Sequence, residues 1–304
     1  MHCFKRKGNR KMKKKKESTS LIVHMIFILF GACCIIPFMM VVSASFTSEL
    51  DLSKYGFRPL PPKVDFTAYA YLFENPKQII NGYAVTIFIT VVGTFLSVIV
   101  MSLAAYALSR ECFKFRNAVT AFLFFPSLFG GGMVATYIIY TQVYHLTDSI
   151  WVLILPELVS IFHVVMIRTF FKQLPEGLFD AAKVDGASEF RIYFTIALRL
   201  SKPVIATISF LGAMSRWNTW YSAMLYIRSS EKYPLQYLLQ RMMMNINELL
   251  LAMEKVPTAF SASDVPGENL RMALLVVCIG PMMIVFPFFQ KYFNKGMTMG
   301  AVKG

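Results

Sequence analysis

Apolar side chains run in six long stretches bounded by charge or turn residues: Leu21 to Phe46, Tyr83 to Ser109, Ala118 to Tyr140, Ser149 to Phe171, Pro203 to Ile227 and Leu270 to Phe293. A hydrocarbon core about 30 Å thick is crossed by about 20 residues of helix, so each run predicts one span. Only helices and closed barrels satisfy their backbone groups in lipid, and these runs lack the alternation of barrel strands. The pattern therefore predicts an all-α polytopic membrane protein with six transmembrane helices. It divides into a basic tail at 1–20, a six-helix region at 21–293 and a short tail at 294–304, with a long polar connection at 172–202 inside the helical region.

Composition agrees with this pattern. The chain is 56% hydrophobic and 16% charged, more apolar than a single water-soluble core of 304 residues requires. Its net charge of +14 does not point to nucleic acid, because the cations gather at the ends of the apolar stretches instead of along a folded face. They crowd into Lys5 to Lys16, Arg110 to Arg116, Lys172 to Lys202 and the C-terminal tail. The positive-inside rule then places both termini in the cytoplasm of a cell-membrane protein. The run from Lys5 to Lys16 needs no role beyond attraction to anionic membrane lipid. The first span carries small residues at Val42-Ser43-Ala44, as a cleaved signal peptide would, but its apolar stretch is too long, which predicts a retained signal anchor.

Catalytic chemistry is hard to place. Cys3, Cys33, Cys34, Cys112 and Cys278 show no C-x-x-C spacing, and neither a disulfide framework nor a metal site is expected. His24 and His163 lack a ligand neighbour three or four residues on and read as helix-to-helix hydrogen-bonding groups. No phosphate-binding G-x-x-x-x-G-K-[ST] occurs, so no cofactor is expected in this chain, and any ATP and Mg would be held by a separate subunit. Gly130-Gly131-Gly132 interrupts the third span, for close helix packing or for a gate. The long outer loop after the fifth span repeats apolar residues at Leu235, Leu238, Leu239, Met242, Ile246, Leu249 and Leu250. That is an amphipathic helix, available either to dock an external protein or to pack against the spans.

Candidate substrate contacts lie in the fourth and fifth spans. Trp217, Trp220 and Tyr221 fall at i, i+3 and i+4, which on a continuous helix is one face, flanked by Arg216 and Asn218. Aromatic faces and hydroxyl-replacing polar groups are what a sugar requires. Counting about 1.5 Å per residue, Glu157 and Arg216 fall at similar depth. Charges inside a bilayer face a partner or a water-filled path, so the two either pair or line one cavity. The alternative is an interfacial tryptophan belt with two buried structural charges.

The inner connection reads Pro175-Glu176-Gly177-Leu178-Phe179-Asp180-Ala181-Ala182-Lys183-Val184-Asp185-Gly186-Ala187-Ser188-Glu189-Phe190-Arg191, with Phe179, Phe190, Tyr193, Phe194 and Ile196 expected to form its apolar face. This segment resembles the EAA loop of ABC importer permeases, Glu-Ala-Ala, two variable residues, Asp-Gly-Ala, then Ile and Leu-Pro. Asp180 stands at the Glu position, Ala181, Ala182, Asp185, Gly186, Ala187, Ile196 and Leu198 match, and Arg199 replaces Pro. The fifth-span Trp217-Asn218-x-Trp220 and the tail Lys295 to Gly304 are similar to the carbohydrate branch, the maltose-transporter type.

The resemblance implies a cytoplasmic coupling helix at Asp180, Ala181, Ala182, Asp185, Gly186, Ala187 and Phe190, and ATPase contacts from Thr298, Gly300, Val302 and Gly304. It also implies partners: a second homologous permease, two ATPase subunits and an extracellular solute-binding protein. ATP would be hydrolysed in the partners, so this chain is expected not to be an enzyme. The cargo implied is a carbohydrate, an oligosaccharide. The rival reading is a self-sufficient secondary transporter or channel for a small polar solute, weakened because Glu157 is the one acid within a span.

Overall fold

The computed structural model describes residues 3–74, 76–255 and 267–301. The chain is 78% helical, without strands among the described residues. Its helices are α1 (Cys3–Ser45), α2 (Glu49–Tyr55), α3 (Thr67–Leu72), α4 (Pro76–Ser109), α5 (Arg116–Leu128), α6 (Gly132–Ile138), α7 (Ile161–Phe171), α8 (Glu176–Val184), α9 (Glu189–Ile192), α10 (Leu198–Leu200), α11 (Lys202–Trp217), α12 (Tyr221–Tyr226), α13 (Leu235–Lys255) and α14 (Glu268–Ala301). Short 3₁₀ and π turns fill in at 139–143, 150–157 and 193–197.

Three helical stretches are long and apolar enough to cross a bilayer alone, Val23–Ser45, Pro76–Ser109 and Glu268–Pro287. Three more form as bent pairs: Arg116–Leu128 with Gly132–Val143 at 111°, Ile150–Glu157 with Ile161–Phe171 at 46°, and Glu189–Leu200 with Lys202–Trp217 at 82°. The third and fourth apolar runs are therefore broken inside, whereas the 82° bend falls at Ser201, just before the fifth run begins, and the fifth run is interrupted at Asn218, where α11 ends. The sharpest bend falls at Gly130-Gly131-Gly132. A Cβ at Gly130 or Gly132 would meet nothing within 4 Å, so these glycines serve the turn and not close helix packing. Proline is tolerated inside α1 (Pro37), α5 (Pro126) and α14 (Pro281, Pro287).

The chain packs as two compact units, Met1–Glu74 with Leu249–Val277, and Asn75–Glu248 with Cys278–Gly304. In the first, Ser48 caps α2 by accepting from the Asp51 amide, and the Ser45 hydroxyl meets the Tyr69 hydroxyl at 2.9 Å. The Glu49 carboxylate accepts the backbone N–H groups of Gly267, Glu268 and Asn269 at 3.3, 3.2 and 3.1 Å, satisfying donors that the first turn of α14 leaves without intrahelical partners.

In the second unit α4 is common to two cores. Its C-terminal half brings Met101, Ala105, Tyr106 and Leu108 against Val164, Ile167 and Phe171 of α7, with Phe179, Ile192 and Tyr193 beneath. Its N-terminal half brings Val85 and Ile89 against Val152, Leu153, Tyr226 and Tyr233. The first turns of α13 pack here too: Leu235, Leu238 and Leu239 are buried, and the Leu235 amide donates to Thr86 Oγ1 at 2.8 Å. For those three positions packing is the outcome.

Asp148 joins the turn before the fourth apolar run to the start of the loop after the fifth. It takes a left-handed backbone (φ 56°), and its carboxylate accepts from the Arg228 and Ser229 amides, the Ser229 hydroxyl and Lys232 Nζ, all within 3.0 Å. The Ser229 hydroxyl and amide, with Arg228 and Lys232, hold its carboxyl well below the usual carboxylate range.

Candidate functional site

A cavity of about 650 Å³ lies within the second unit, between α4, α5, the 3₁₀ turn ending at Glu157, α7 and α11. Its polar lining includes Ser97, Ser127, Ser160, Glu157, His163 and Arg216. Arg216, in the last turn of α11, is 3% exposed. Its Nη2 donates to the Glu157 backbone carbonyl at 2.8 Å and to the Ser97 hydroxyl, and its Nη1 donates to the Gly212 carbonyl at 3.2 Å. This guanidinium fits only because α4 has no side chain beneath it: a Cβ on Gly93 would sit 2.5 Å from Arg216 Nε. Arg216 and Glu157 thus line one cavity, but the arginine grips the glutamate's carbonyl and no carboxylate–guanidinium ion pair forms between them.

The aromatic residues are distributed differently from a single helical face. α11 ends at Trp217, Asn218 caps it, and Trp220 lies outside helical geometry before α12 begins at Tyr221. Trp217 is buried, its Nε1 donating to the Cys278 carbonyl of α14 at 3.1 Å. Asn218 turns its amide back to the Met214 carbonyl at 2.8 Å. Trp220 and Tyr221 are exposed, edge to face at 5.8 Å, and the Tyr221 hydroxyl reaches Met133 Sδ. Of the six expected path residues, the structure brings only Glu157 and Arg216 together at the cavity.

Sequence reasoning missed Ser97 and a second cavity of about 700 Å³ lined by Thr136, Tyr140, Tyr144 and Pro156. The Tyr140 and Tyr144 rings stack at 6.2 Å. Their i, i+4 spacing was a readable signal. Ser97 carried none, since a lone serine in an apolar helix ordinarily bonds its own backbone.

The expected coupling segment is a helix, a turn and a second helix. Asp180, Ala181 and Ala182 lie on α8, whereas Asp185, Gly186 and Ala187 form the turn after it. Gly186 has φ 76°, a left-handed conformation that L side chains resist. Its amide bonds the Lys183 carbonyl at 3.0 Å, the Ala187 amide bonds that of Ala182 at 2.9 Å, and Ser188 then caps α9. Asp180, Ala181, Asp185 and Gly186 are exposed. The five apolar residues do not share a face: Phe179 and Tyr193 are buried, while Phe190 and Phe194 are 71% and 55% exposed. Val184 is 87% exposed. Such a surface leaves small and apolar groups uncovered.

Residues 75–299 match the family model described as "Binding-protein-dependent transport system inner membrane component". The chain belongs to that family. This inner-membrane component is 35% identical over 290 residues to the polygalacturonan/rhamnogalacturonan transport system permease protein YtcP of Bacillus subtilis (strain 168), covering 95% of this chain and all of that protein. It is 37% identical to protein LplC of the same organism over 274 residues, 90% of this chain and 91% of that one. A crystal structure of a bacterial ABC transporter involved in the import of the acidic polysaccharide alginate contains a chain with TM-score 0.78 and 29% identity, covering 92% of this chain and 98% of that one. The chain is accordingly a polytopic all-α membrane protein, an ABC transporter permease subunit. Of the expected tail contacts, Thr298 and Gly300 lie on the final backbone stretch of α14, while Val302 and Gly304 lie outside the described residues.

Proposed function

We propose that this chain is one permease of an ATP-driven importer that brings an oligosaccharide into the cytoplasm, coupled to partner ATPases through Asp180 to Phe190. The observation that carries the reading is the exposed α8 and Gly186 turn, which bears the EAA-like residues in a chain of the inner-membrane-component family. A rigid helix held by a moving socket passes rigid-body motion to the spans it joins. The carbohydrate cargo is supported by the names of the relatives, which concern polygalacturonan, rhamnogalacturonan and alginate.

The rest of the assembly follows from that reading. A second, homologous permease completes the path, two ATPase subunits hold ATP and Mg and hydrolyse the nucleotide, and an extracellular binding protein delivers the sugar. Both termini lie in the cytoplasm, with Thr298 to Gly304 against the ATPases. The path runs through 21–293, where Arg216 and Glu157 present polar groups at the first cavity, and Trp220 and Tyr221 offer aromatic surface. Trp217 and Asn218 act by holding the end of α11.

The test is Ala181→Arg, a change on the exposed face of a helix that leaves the fold intact. Co-expressed complexes carrying it are expected to lose the ATPase on purification while the two permeases stay together. Full retention of the ATPase by Ala181→Arg would remove the coupling assignment, and sugar flux through this chain alone in liposomes would restore the self-sufficient transporter.

A further inference from the structure

The coupling segment has a thin attachment. Phe179 is the only fully buried residue of α8, with Ala182 half-buried beside it, so the helix is seated on the membrane unit mainly through one ring. That ring is covered by a cation from the end of α4: the Arg110 guanidinium carbon lies 4.2 Å from the Phe179 centroid and 5.8 Å from that of Tyr106. One turn earlier, the Tyr106 hydroxyl donates to Glu189 Oε2 at 2.6 Å, and Glu189 Oε1 receives Lys183 Nζ of α8 at 2.9 Å. Tyr106 and Arg110 are four residues apart and face the same side. Between them they hold both flanks of the Gly186 turn, Phe179 before it and Glu189 after it, and Glu189 in turn holds Lys183.

We propose that Arg110 and Tyr106 are positioning residues that lock the coupling segment to α4, so that a displacement of α8 is passed to α4 and the cavity it lines. This rests on the reading of α8 as the ATPase contact. The physical basis is the contrast between the two kinds of fastening. An apolar ring alone slides in its socket, since hydrophobic contact is non-directional. A guanidinium over the ring face and a hydroxyl-to-carboxylate hydrogen bond are directional and fix the segment's angle. The same α4 helix carries Ser97 and Gly93 against Arg216, so the fastening and the cavity share one rod.

The experiment uses the full complex in nanodiscs and compares hydrogen exchange over 92–104 of α4 without nucleotide and with ATP plus vanadate, a comparison that needs no knowledge of the sugar. In the unsubstituted complex trapping should change that exchange. Arg110→Met, which keeps length and loses charge, is expected to shrink the change by roughly 2- to 30-fold, the span for residues that alter coupling without touching a ligand, with the ATPase still bound. Arg110→Lys should recover most of it, which a purely structural loss would not. Tyr106→Phe, which removes one hydroxyl, should produce a partial loss, and it decides the matter if Arg110→Met does not assemble. An unaltered nucleotide response in Arg110→Met, or in Tyr106→Phe where Arg110→Met is lost, overturns the proposal. Failure of Ala181→Arg to release the ATPase overturns the coupling assignment instead, so the two failures are told apart.

Discussion

Arg216 combines three demands on one side chain: it is buried, it is charged, and its hydrogen bonds go to two carbonyls and a hydroxyl instead of to an acid. Gly93 is what makes room for it. A methyl at Gly93 would collide with Arg216 Nε at 2.5 Å, and retreat of the guanidinium would break its hydrogen bonds to Gly212, Ser97 and Glu157. Gly93→Ala is therefore expected to lower stability by about 1–3 kcal/mol through overpacking, read as thermal unfolding in detergent. Arg216→Met, which leaves the Glu157 and Gly212 carbonyls without that donor, should cost a similar amount, about 1–3 kcal/mol. The double variant should cost less than the sum, because both changes act on one contact. The presence of Arg216 and Glu157 at one depth was legible from counting residues along helices. The identity of the groups they touch was not, because hydropathy and spacing say nothing of which carbonyl a helix end leaves open. Trp217 shows the limit more sharply: an i, i+3, i+4 pattern implies a shared face only where the helix continues, and this one stops at Asn218.

At the scale of elements, all six apolar runs were legible because a bilayer sets both the length and the composition of whatever crosses it. Their breaks were not, with one exception. Hydropathy registers compatibility with lipid and is indifferent to a bend, so the 46° break inside the fourth run left no trace in it, whereas three consecutive glycines did mark the 111° one, and the 82° bend falls at the edge of the fifth run, just before Pro203. The start of α14 adds a contact that no local pattern signals. Glu49 accepts its first amides from more than two hundred residues away in sequence. Glu49→Ala should cost about 0.5–2 kcal/mol, the range for a lost helix cap, and hydrogen exchange at Gly267 to Asn269 should accelerate while exchange in α4 stays as it was.

At the scale of the whole molecule, stability is coupled to pH through the Asp148 junction. A carboxyl held below its ordinary value binds its proton less readily when folded, so it adds stability above the unfolded value of about 4. That contribution declines as pH falls below this value and is gone once the pH drops beneath the folded pKa. Asp148→Asn should therefore unfold at a lower temperature than the unsubstituted protein at pH 7, and the gap should begin to narrow as the pH falls below about 4. Thermal scans of both proteins across pH 7 to 3 check it; a gap that stays constant over that range would assign the junction's effect to packing. Family membership was legible from the short inner motif, because its small residues and its Asp-Gly-Ala turn stand at fixed spacing, and the left-handed Gly186 shows why the turn takes glycine.

Helix α4 contributes side chains to both cores of its unit, and at its midpoint Gly93 lies directly against the Arg216 side chain. A beam pinned at its centre behaves as a seesaw: pulling the foot one way swings the head the other. On the proposed importer reading, such a pivot would set the two ends of the path against each other, so that the state in which both stand open is disfavoured without a dedicated valve.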